Sequence, residues 1–218
     1  MVSVVSRPRA DLPFVAHVSP RVAQDPFKRA FDIVVASAML VFFGPLLLLV
    51  ALLIRLESPG PVLFRQARGG LNGQIFTIYK FRSMRCQENG ADVVQAARDD
   101  DRITRMGRFT RKTSIDELPQ LLNVLKGDMS LVGPRPHAQA HDAHYGALVA
   151  GYARRFQARP GLTGLAQVKG LRGATSEIEA MVQRVEADIA YIEGWSFWRD
   201  VKIMLLTIPH LLMAENAY

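Results

Sequence analysis

The run IVVASAMLVFFGPLLLLVALLI, Ile33 to Ile54, carries no charge over 22 residues and decides how the fold must be read. At 1.5 Å per residue, a helix of this length matches the roughly 30 Å hydrocarbon core of a bilayer. A soluble core helix so long and apolar on every face would be unusual. The run starts too far from the N-terminus, is too long and lacks a small-residue cleavage site close behind, so it is not a secretory signal peptide. Gly44-Pro45 stands at its midpoint, where proline breaks the hydrogen-bond ladder and glycine eases a sharp bend. Lys28 and Arg29 precede the run, and Arg55, Arg65 and Arg68 follow it. Basic flanks favour the cytoplasmic side, and a bent helix can keep both there while a straight spanning one cannot. Residues 27–57 therefore read as a re-entrant helical hairpin. A kinked transmembrane helix is the alternative, since such helices tolerate proline.

Outward from this segment, residues 1–26 hold Pro8, Pro13, Pro20 and Pro26 among polar residues without a sustained period, and read as a flexible cytoplasmic tail. Residues 58–218 then form a cytoplasmic domain. Ser58 to Pro61 is a turn. VLFRQAR and QIFTIYKF, joined through GGLNG, read as a β-hairpin with Asn72-Gly73 in the turn. Strand alternation sets Lys80 and Arg82 on one face, where a solvated strand surface is the plain alternative to a functional one. Gln87 to Asp101 is polar and helix-tolerant. Arg102, Arg105, Arg108 and Arg111 recur every third residue, as compatible with a membrane surface as with phosphate. Between Ser176 and Trp195, Ile178, Met181, Val182, Val185, Ile189 and Ile192 form a core-facing helical stripe. Trp195, Phe197 and Trp198, followed by VKIMLLTIPHLLM, make an amphipathic tail short for a span and suited to the interface. The fold class is α+β, mainly α, resting on a membrane.

At 218 residues the chain has the length of one ordinary domain. Its single cysteine, Cys86, excludes an internal disulfide and cysteine-rich zinc sites. With 27 basic and 20 acidic residues the net charge is +7, and the pI near 9.9 points to an anionic partner. Aromatic residues are not interleaved with the basic runs, which argues against nucleic acid.

The chemistry concentrates in RKTSIDELPQLLNVLKGDMSLVGPRP, Arg111 to Pro136. Pro119 is tolerated only in a first helical turn, so a helix of about three turns begins near Ile115 or Asp116 and ends at Lys126-Gly127. Asp116 and Glu117 then share its positive end, where an ionised carboxylate or a bound phosphate is favoured. Ser114-x-x-Glu117 also fits a capping box, in which both side chains merely satisfy backbone N–H groups. Flanking arginines at 102, 105, 108, 111 and 135, with Lys112, favour phosphate chemistry. His137, His141 and His144 lack the HExxH pattern of a zinc helix and read as a solvated or substrate-side face. Around Arg159-Pro160-Gly161 and Gly164, glycines allow close approach of the backbone to a ligand.

Taken together, KRAFDIVVAS, SPGPVLFRQ, FTIYKFRSM, RITRMGRFTRKTSIDELPQLLNVLKGDMSLVGPRPH, RPGLTGLAQV and YIEGWSFWRDVKI resemble the bacterial sugar transferase family, the monotopic phosphoglycosyl transferases, in their short catalytic-core form. The resemblance covers nearly everything from Lys28 to the C-terminus. It implies transfer of a sugar 1-phosphate from a UDP-sugar to undecaprenyl phosphate at the cytoplasmic face of the bacterial inner membrane, initiating exopolysaccharide or O-antigen units. It places the nucleophile on Asp116 and a magnesium-associated carboxylate on Glu117. Phosphate-site cations fall on Lys80, Arg111 and Arg135, with a less defined nucleotide or phosphate role for Arg159. The helix break falls on Gly44 and Pro45, where many members have Ser-Pro; the proline is kept and a hydroxyl is lost. Lys169 stands where many members have asparagine. Members of the family can pair as homodimers.

The stretch from HAQAH through GLAQVKGLRG most resembles members that move glucose or galactose 1-phosphate, with N-acetylhexosamines as the alternative. Two competing functions stay open at this stage. In one, undecaprenyl phosphate attacks directly in a ternary complex and Asp116 is a base or metal ligand. In the other, the chain is a basic membrane-surface adaptor without chemistry.

Overall fold

Asp25 and Pro26 start the longest element. The Asp25 carboxylate accepts the Lys28 N–H at 2.8 Å and Pro26 occupies the first turn, both favoured helix-start chemistry. The computed structural model describes residues 21–85, 100–171 and 178–212. Most of the expected tail and of the polar stretch from Gln87, and Cys86 itself, lie outside the described residues. The last residues assigned to the tail are helical: α1 spans Arg21–Gln24 and α2 spans Pro26–Glu57.

Thirty-two residues make α2 roughly 48 Å of helix, and it continues through Pro45. It is long and apolar enough to cross a membrane, with an 18-residue window of mean hydropathy 2.7. Its two ends are anchored by polar bonds, and between them only one face packs, with Val35, Met39, Leu40, Leu46 and Leu47 partly buried. At the first end, Lys28 Nζ donates to Asp200 Oδ2 at 2.6 Å and to the Val132 carbonyl at 3.1 Å. Arg29 grips the Val124 and Leu125 carbonyls at 2.6 and 2.9 Å, and Asp32 accepts the Leu131 N–H at 3.1 Å. At the other end, Val50 and Ile54 pack on Phe81. Glu57 there accepts the N–H groups of Arg105 and Met106, at 2.7 and 3.1 Å. Between these anchors Val41 and Phe42 are exposed, and nothing lies within 4 Å of where a Cβ on Gly44 would sit.

The hairpin forms as expected. Strands β1, Leu63–Gly69, and β2, Ile75–Phe81, are antiparallel with Leu63 opposite Phe81 and Gly69 opposite Ile75. Asn72 and Gly73 take the left-handed backbone that closes the loop. Arg82 is not on a solvated face: its guanidinium donates to the carbonyls of Ser58 at 2.7 Å, Ile54 at 3.3 Å and Pro59 at 2.7 Å, capping the end of α2. It is buried.

Helix α3, Arg105–Lys112, ends at Thr113, and Ser114 then turns the chain with φ 55°. The expected three-turn helix has the right extent and a different interior. Ile115–Gln120 is a 3-10 segment, and only α4, Leu121–Lys126, is α-helical, closing on Gly127 at φ 85°. Asn123 of α4 stitches this unit to β2, donating to the Thr77 carbonyl at 2.7 Å and accepting the Tyr79 N–H at 3.0 Å. Phe76, Ile78, Leu121 and Val124 are buried in the shared core.

A second, parallel pair joins β3, Ser130–Val132, to β4, Gly161–Thr163. The glycines here serve chain packing, which corrects the ligand reading. A Cβ on Gly161 would lie 2.1 Å from Gly133 N, and one on Gly164 2.2 Å from Gly133 O. Helix α5, Gln139–Leu148, packs on β1, and helix α6, Leu165–Val168, follows β4 directly. Helix α7, Ile178–Glu193, buries Met181, Val185 and Ile192 of the expected stripe, whereas Ile178 is exposed. Helix α8, Phe197–Leu212, lies beside α2, with Phe197 edge-on to Phe27 and Phe31. Trp198, Leu205, Leu206 and Ile208 on α8 are exposed.

Candidate active site

The 3-10 segment brings the adjacent carboxylates Asp116 and Glu117 against β2 and the loop after β3. Both are buried, at 9% exposure each, and their surroundings differ. Glu117 is clamped: Arg135 Nη2 donates to Oε1 at 2.6 Å and Nη1 to Oε2 at 3.1 Å, and Lys80 Nζ donates to Oε1 at 2.9 Å. Such a two-pronged arginine contact fixes the carboxylate plane. Burial alone would raise the Glu117 pKa, but Arg135 and Lys80 outweigh it and hold the group well below the usual range. Ser114 makes no side-chain capping bond, and Glu117 turns to the cations instead, so the capping box does not form.

Asp116 accepts no side-chain hydrogen bond among the described residues. Burial raises its pKa to about 6, the Glu117 charge adds to the rise, and Lys80, Arg111 and Arg135 pull back. At neutral pH it is mostly ionised without being held by a donor, the state required of a carboxylate nucleophile. Arg111 stands at the last turn of α3, within electrostatic reach of Asp116.

Arg159 is elsewhere. Its guanidinium donates to the Gly127 carbonyl at 3.1 Å and the Ala23 carbonyl at 2.8 Å, tying the end of α4 to α1. It lines neither hollow described below. Gly44 and Pro45 sit in the exposed middle of α2. Lys169 is exposed just past α6.

Two hollows flank the clamp. The first is a cavity of about 160 Å³ lined by Arg68, Ile78, Lys80, Gln120, Arg135, Pro136, His137, His141, Met181 and Arg184. Burial lowers the Arg68 and Arg184 pKa values to about 10, with Arg135 adding in each case, and both stay cationic at neutral pH. The second is an apolar groove of about 390 Å³. Val35, Met39 and Phe43 of α2 form one wall, Met204, Thr207 and Ile208 of α8 another, and Ile115, Glu117 and Leu118 its head.

Sequence reasoning missed Arg68, Gln120 and Arg184 in the first hollow. It also missed the buried scaffold behind Arg135. There Arg155 donates to the Arg135 carbonyl at 2.7 Å, to Asp188 Oδ2 at 2.7 Å and to the Tyr152 hydroxyl at 3.0 Å. Arg155 and Asp188 are almost wholly buried, and removing one partner of such a pair typically costs about 3–5 kcal/mol. The signal available was the i, i+3, i+7 placement of Arg184 and Asp188 beside Met181 on a stripe otherwise apolar.

Residues 23–214 match the family described as bacterial sugar transferase. The chain is 64% identical over 199 residues to the UDP-glucose:undecaprenyl-phosphate glucose-1-phosphate transferase of Caulobacter vibrioides, covering 91% of this chain and 74% of that protein. It is 51% identical over 191 residues to the protein of the same name in Escherichia coli K12, covering 88% of this chain and 41% of that protein. It is 49% identical over 187 residues to the exopolysaccharide production protein PSS of Rhizobium leguminosarum bv. phaseoli, covering 83% and 92%. The chain thus spans about three quarters of the Caulobacter relative and about two fifths of the Escherichia coli one. With a paired carboxylate set between a cationic cavity and an apolar groove, and with this match over most of its length, the chain belongs to the bacterial sugar transferase family.

Proposed function

We propose that this chain transfers hexose 1-phosphate, glucose or galactose, from a UDP-sugar to undecaprenyl phosphate, releasing UMP, at the cytoplasmic face of the inner membrane. The observation that carries the reading is the position of Glu117, which heads the apolar groove and bonds Lys80 and Arg135 on the wall of the cationic cavity: a cationic cavity suits a sugar diphosphate and an apolar groove suits a prenyl chain. The relatives' names point the same way for the hexose. The N-acetylhexosamine alternative predicts the same geometry with a different donor.

In the first step an Asp116 carboxylate oxygen attacks the phosphorus that bears the sugar. The bond from that phosphorus to the bridging oxygen breaks, and UMP leaves with the oxygen. Lys80, Arg111 and Arg135 lower the cost of bringing a carboxylate to an anionic diphosphate, the kind of electrostatic support that dominates phosphoryl transfer. In the second step a phosphate oxygen of undecaprenyl phosphate attacks the same phosphorus and the aspartyl oxygen leaves. The sugar C1–O bond is untouched.

Among the described residues no three His, Cys, Asp or Glu side chains cluster to hold a metal by themselves. Glu117 Oε2 accepts only one hydrogen bond, leaving a lone pair for an ion shared with substrate phosphates, the usual manner of magnesium binding. Magnesium so bound would neutralise diphosphate charge.

The same reading places α2 in one leaflet as a re-entrant element. Its support is that Lys28 to Asp32 at one end and Ile54 to Glu57 at the other dock on the same body, while the outer face between them, with Val41, Phe42, Leu48 and Leu49, is exposed. Exposed Trp198, Leu205 and Ile208 on α8 fit an interfacial helix beside it.

The test is UMP release by the purified protein in nanodiscs with Mg²⁺ and undecaprenyl phosphate, comparing UDP-glucose, UDP-galactose and UDP-N-acetylhexosamines. Release with a hexose donor, and a phosphosugar trapped on Asp116 when the lipid is omitted, is expected. Release that requires the lipid from the first turnover would point to direct transfer, and silence with every donor to the non-catalytic adaptor.

A further inference from the structure

The loop Pro134-Arg135-Pro136 carries the two-pronged half of the Glu117 clamp, and each of its three carbonyls is taken by a different element. The Gly161 N–H of β4 donates to Pro134 at 2.9 Å, Arg155 Nη2 to Arg135 at 2.7 Å, and Arg68 Nη1 of β1 to Pro136 at 3.2 Å. The prolines have fixed φ, and the one that follows Arg135 confines that residue to extended backbone. What rotation remains within that range turns the Arg135 carbonyl, the group that Arg155 holds.

Arg155 is fixed in its turn. It belongs to a second 3-10 segment, Tyr152–Gln157, and is buried. Its Nε donates to Asp188 Oδ2 at 2.7 Å, and its Nη1 lies 3.0 Å from the Tyr152 hydroxyl and 2.9 Å from His137 Nδ1. All three nitrogens of the planar fork are thus engaged at once, which leaves it a single orientation; the one ammonium of a lysine could not do the same. An apolar pair of similar volume is often as stable as a buried ion pair or more so, and stability alone does not call for Arg155 and Asp188. What an apolar pair could not do is hold a backbone carbonyl. Arg155 lines neither hollow, so it reaches the site only through its neighbours. We infer that Arg155, oriented by Asp188, is a positioning residue for Arg135: it sets the backbone from which the Arg135 guanidinium meets Glu117. The inference rests on the sugar 1-phosphate transfer reading above and deepens it by naming what holds the clamp in place.

The experiment is a double-mutant cycle in nanodiscs with wild type, Arg155→Lys, Arg135→Lys and the two changes together. The kcat/KM of UMP release for the best UDP-sugar, per folded protein, is measured along with the KM for undecaprenyl phosphate. Arg155→Lys keeps a cation opposite Asp188 and loses the fork. It should lower kcat/KM for the sugar nucleotide about 10- to 100-fold, the scale of a small misplacement at a reacting centre, and leave the lipid KM unchanged. In the Arg135→Lys background the same change should cost less than about 2-fold, because the residue it positions is already gone. Equal factors in both backgrounds would overturn the inference, since Arg155 would then act through His137 or through packing at large. So would turnover near that of wild type, or a lipid KM that rises as steeply as the sugar-nucleotide efficiency falls. If Arg155→Lys does not fold, Arg155→Met combined with Asp188→Leu replaces the ion pair by an apolar one, and the same cycle decides by the same criteria. A wild type that releases no UMP from any UDP-sugar overturns the proposed function and this inference together; an active wild type with additive losses overturns this inference alone.

Discussion

The cavity beside the Glu117 clamp and the groove that Glu117 heads are walled by different chemistry. The cavity lies among five elements distant in sequence, β1, β2, the 3-10 segment, the loop after β3 and α7, with α5 at its edge. Its polar side chains are held by buried ion pairs and shared carbonyls, as in Lys80 to Glu117, Arg135 to Glu117 and Arg155 to Asp188. The groove is framed by α2, the 3-10 segment, the β3–β4 pair, α6 and α8, and its lining is mostly aliphatic. Directional bonds suit a ligand read atom by atom; a smooth apolar trough suits a chain read by its length. The difference teaches that one fold can set a directional polar seat beside a smooth apolar one by changing only the type of wall.

The variant expected to damage both hollows' shared chemistry most is Asp116→Asn. It should lower UMP release by at least about 10³-fold, the scale of losing a nucleophile, while membrane association is retained. Near-normal turnover in a UMP-release assay would sink the covalent mechanism. Arg135→Lys comes next, because a lysine cannot reproduce the two-pronged contact with Glu117. A drop of about 10- to 100-fold in kcat/KM for the sugar nucleotide is expected, with the lipid KM unchanged.

Filling the groove should do the reverse. Met204→Trp ought to raise the KM for undecaprenyl phosphate roughly 10-fold and leave the single-turnover burst of UMP without lipid intact. A lost burst would show that the two hollows are not separable. The smallest effect concerns pH. A nucleophilic Asp116 must be ionised, so under the proposed mechanism the burst rate should fall as pH drops through about 6. Lys80 lowers that pKa, so Lys80→Met should move the acid limb upward, by a fraction of a unit to about one unit. An acid limb that moves down in rate measurements would contradict the assignment of Asp116 as the titrating group.

The apolar wall was the easier one to foresee. An uninterrupted apolar run and an aromatic-led tail announce helices that seek a nonpolar surrounding, and α2 and α8 are those helices. Lys80, Glu117 and Arg135 were also legible, through the motifs they sit in, and the structure brings all three within hydrogen-bonding distance. Arg68, Gln120 and Arg184 were not, since nothing local marks side chains that meet only across a cavity between α7 and a hairpin more than a hundred residues earlier. Pro119 located the element and misled about its interior. A 3-10 turn tolerates the proline as well as a first α-turn does, and Ser114 at φ 55° reverses the chain instead of capping it. The parallel pair β3–β4 escaped because three-residue strands leave too short an alternation to see. Arg159 shows the limit of motif transfer, being placed to tie α4 to α1.

The anchoring of α2 also sets an order of events during synthesis. Its last turn is held by Arg82, but Lys28 in its first turn pairs with Asp200, 172 residues further along the chain. At about 5–20 residues per second, that partner emerges roughly 10–30 s after the helix does. Throughout this interval the helix can insert in lipid while its basic end has no carboxylate to hold it. Closing the Lys28–Asp200 bond is therefore a late event, the point at which the long apolar helix and the folded body become one molecule.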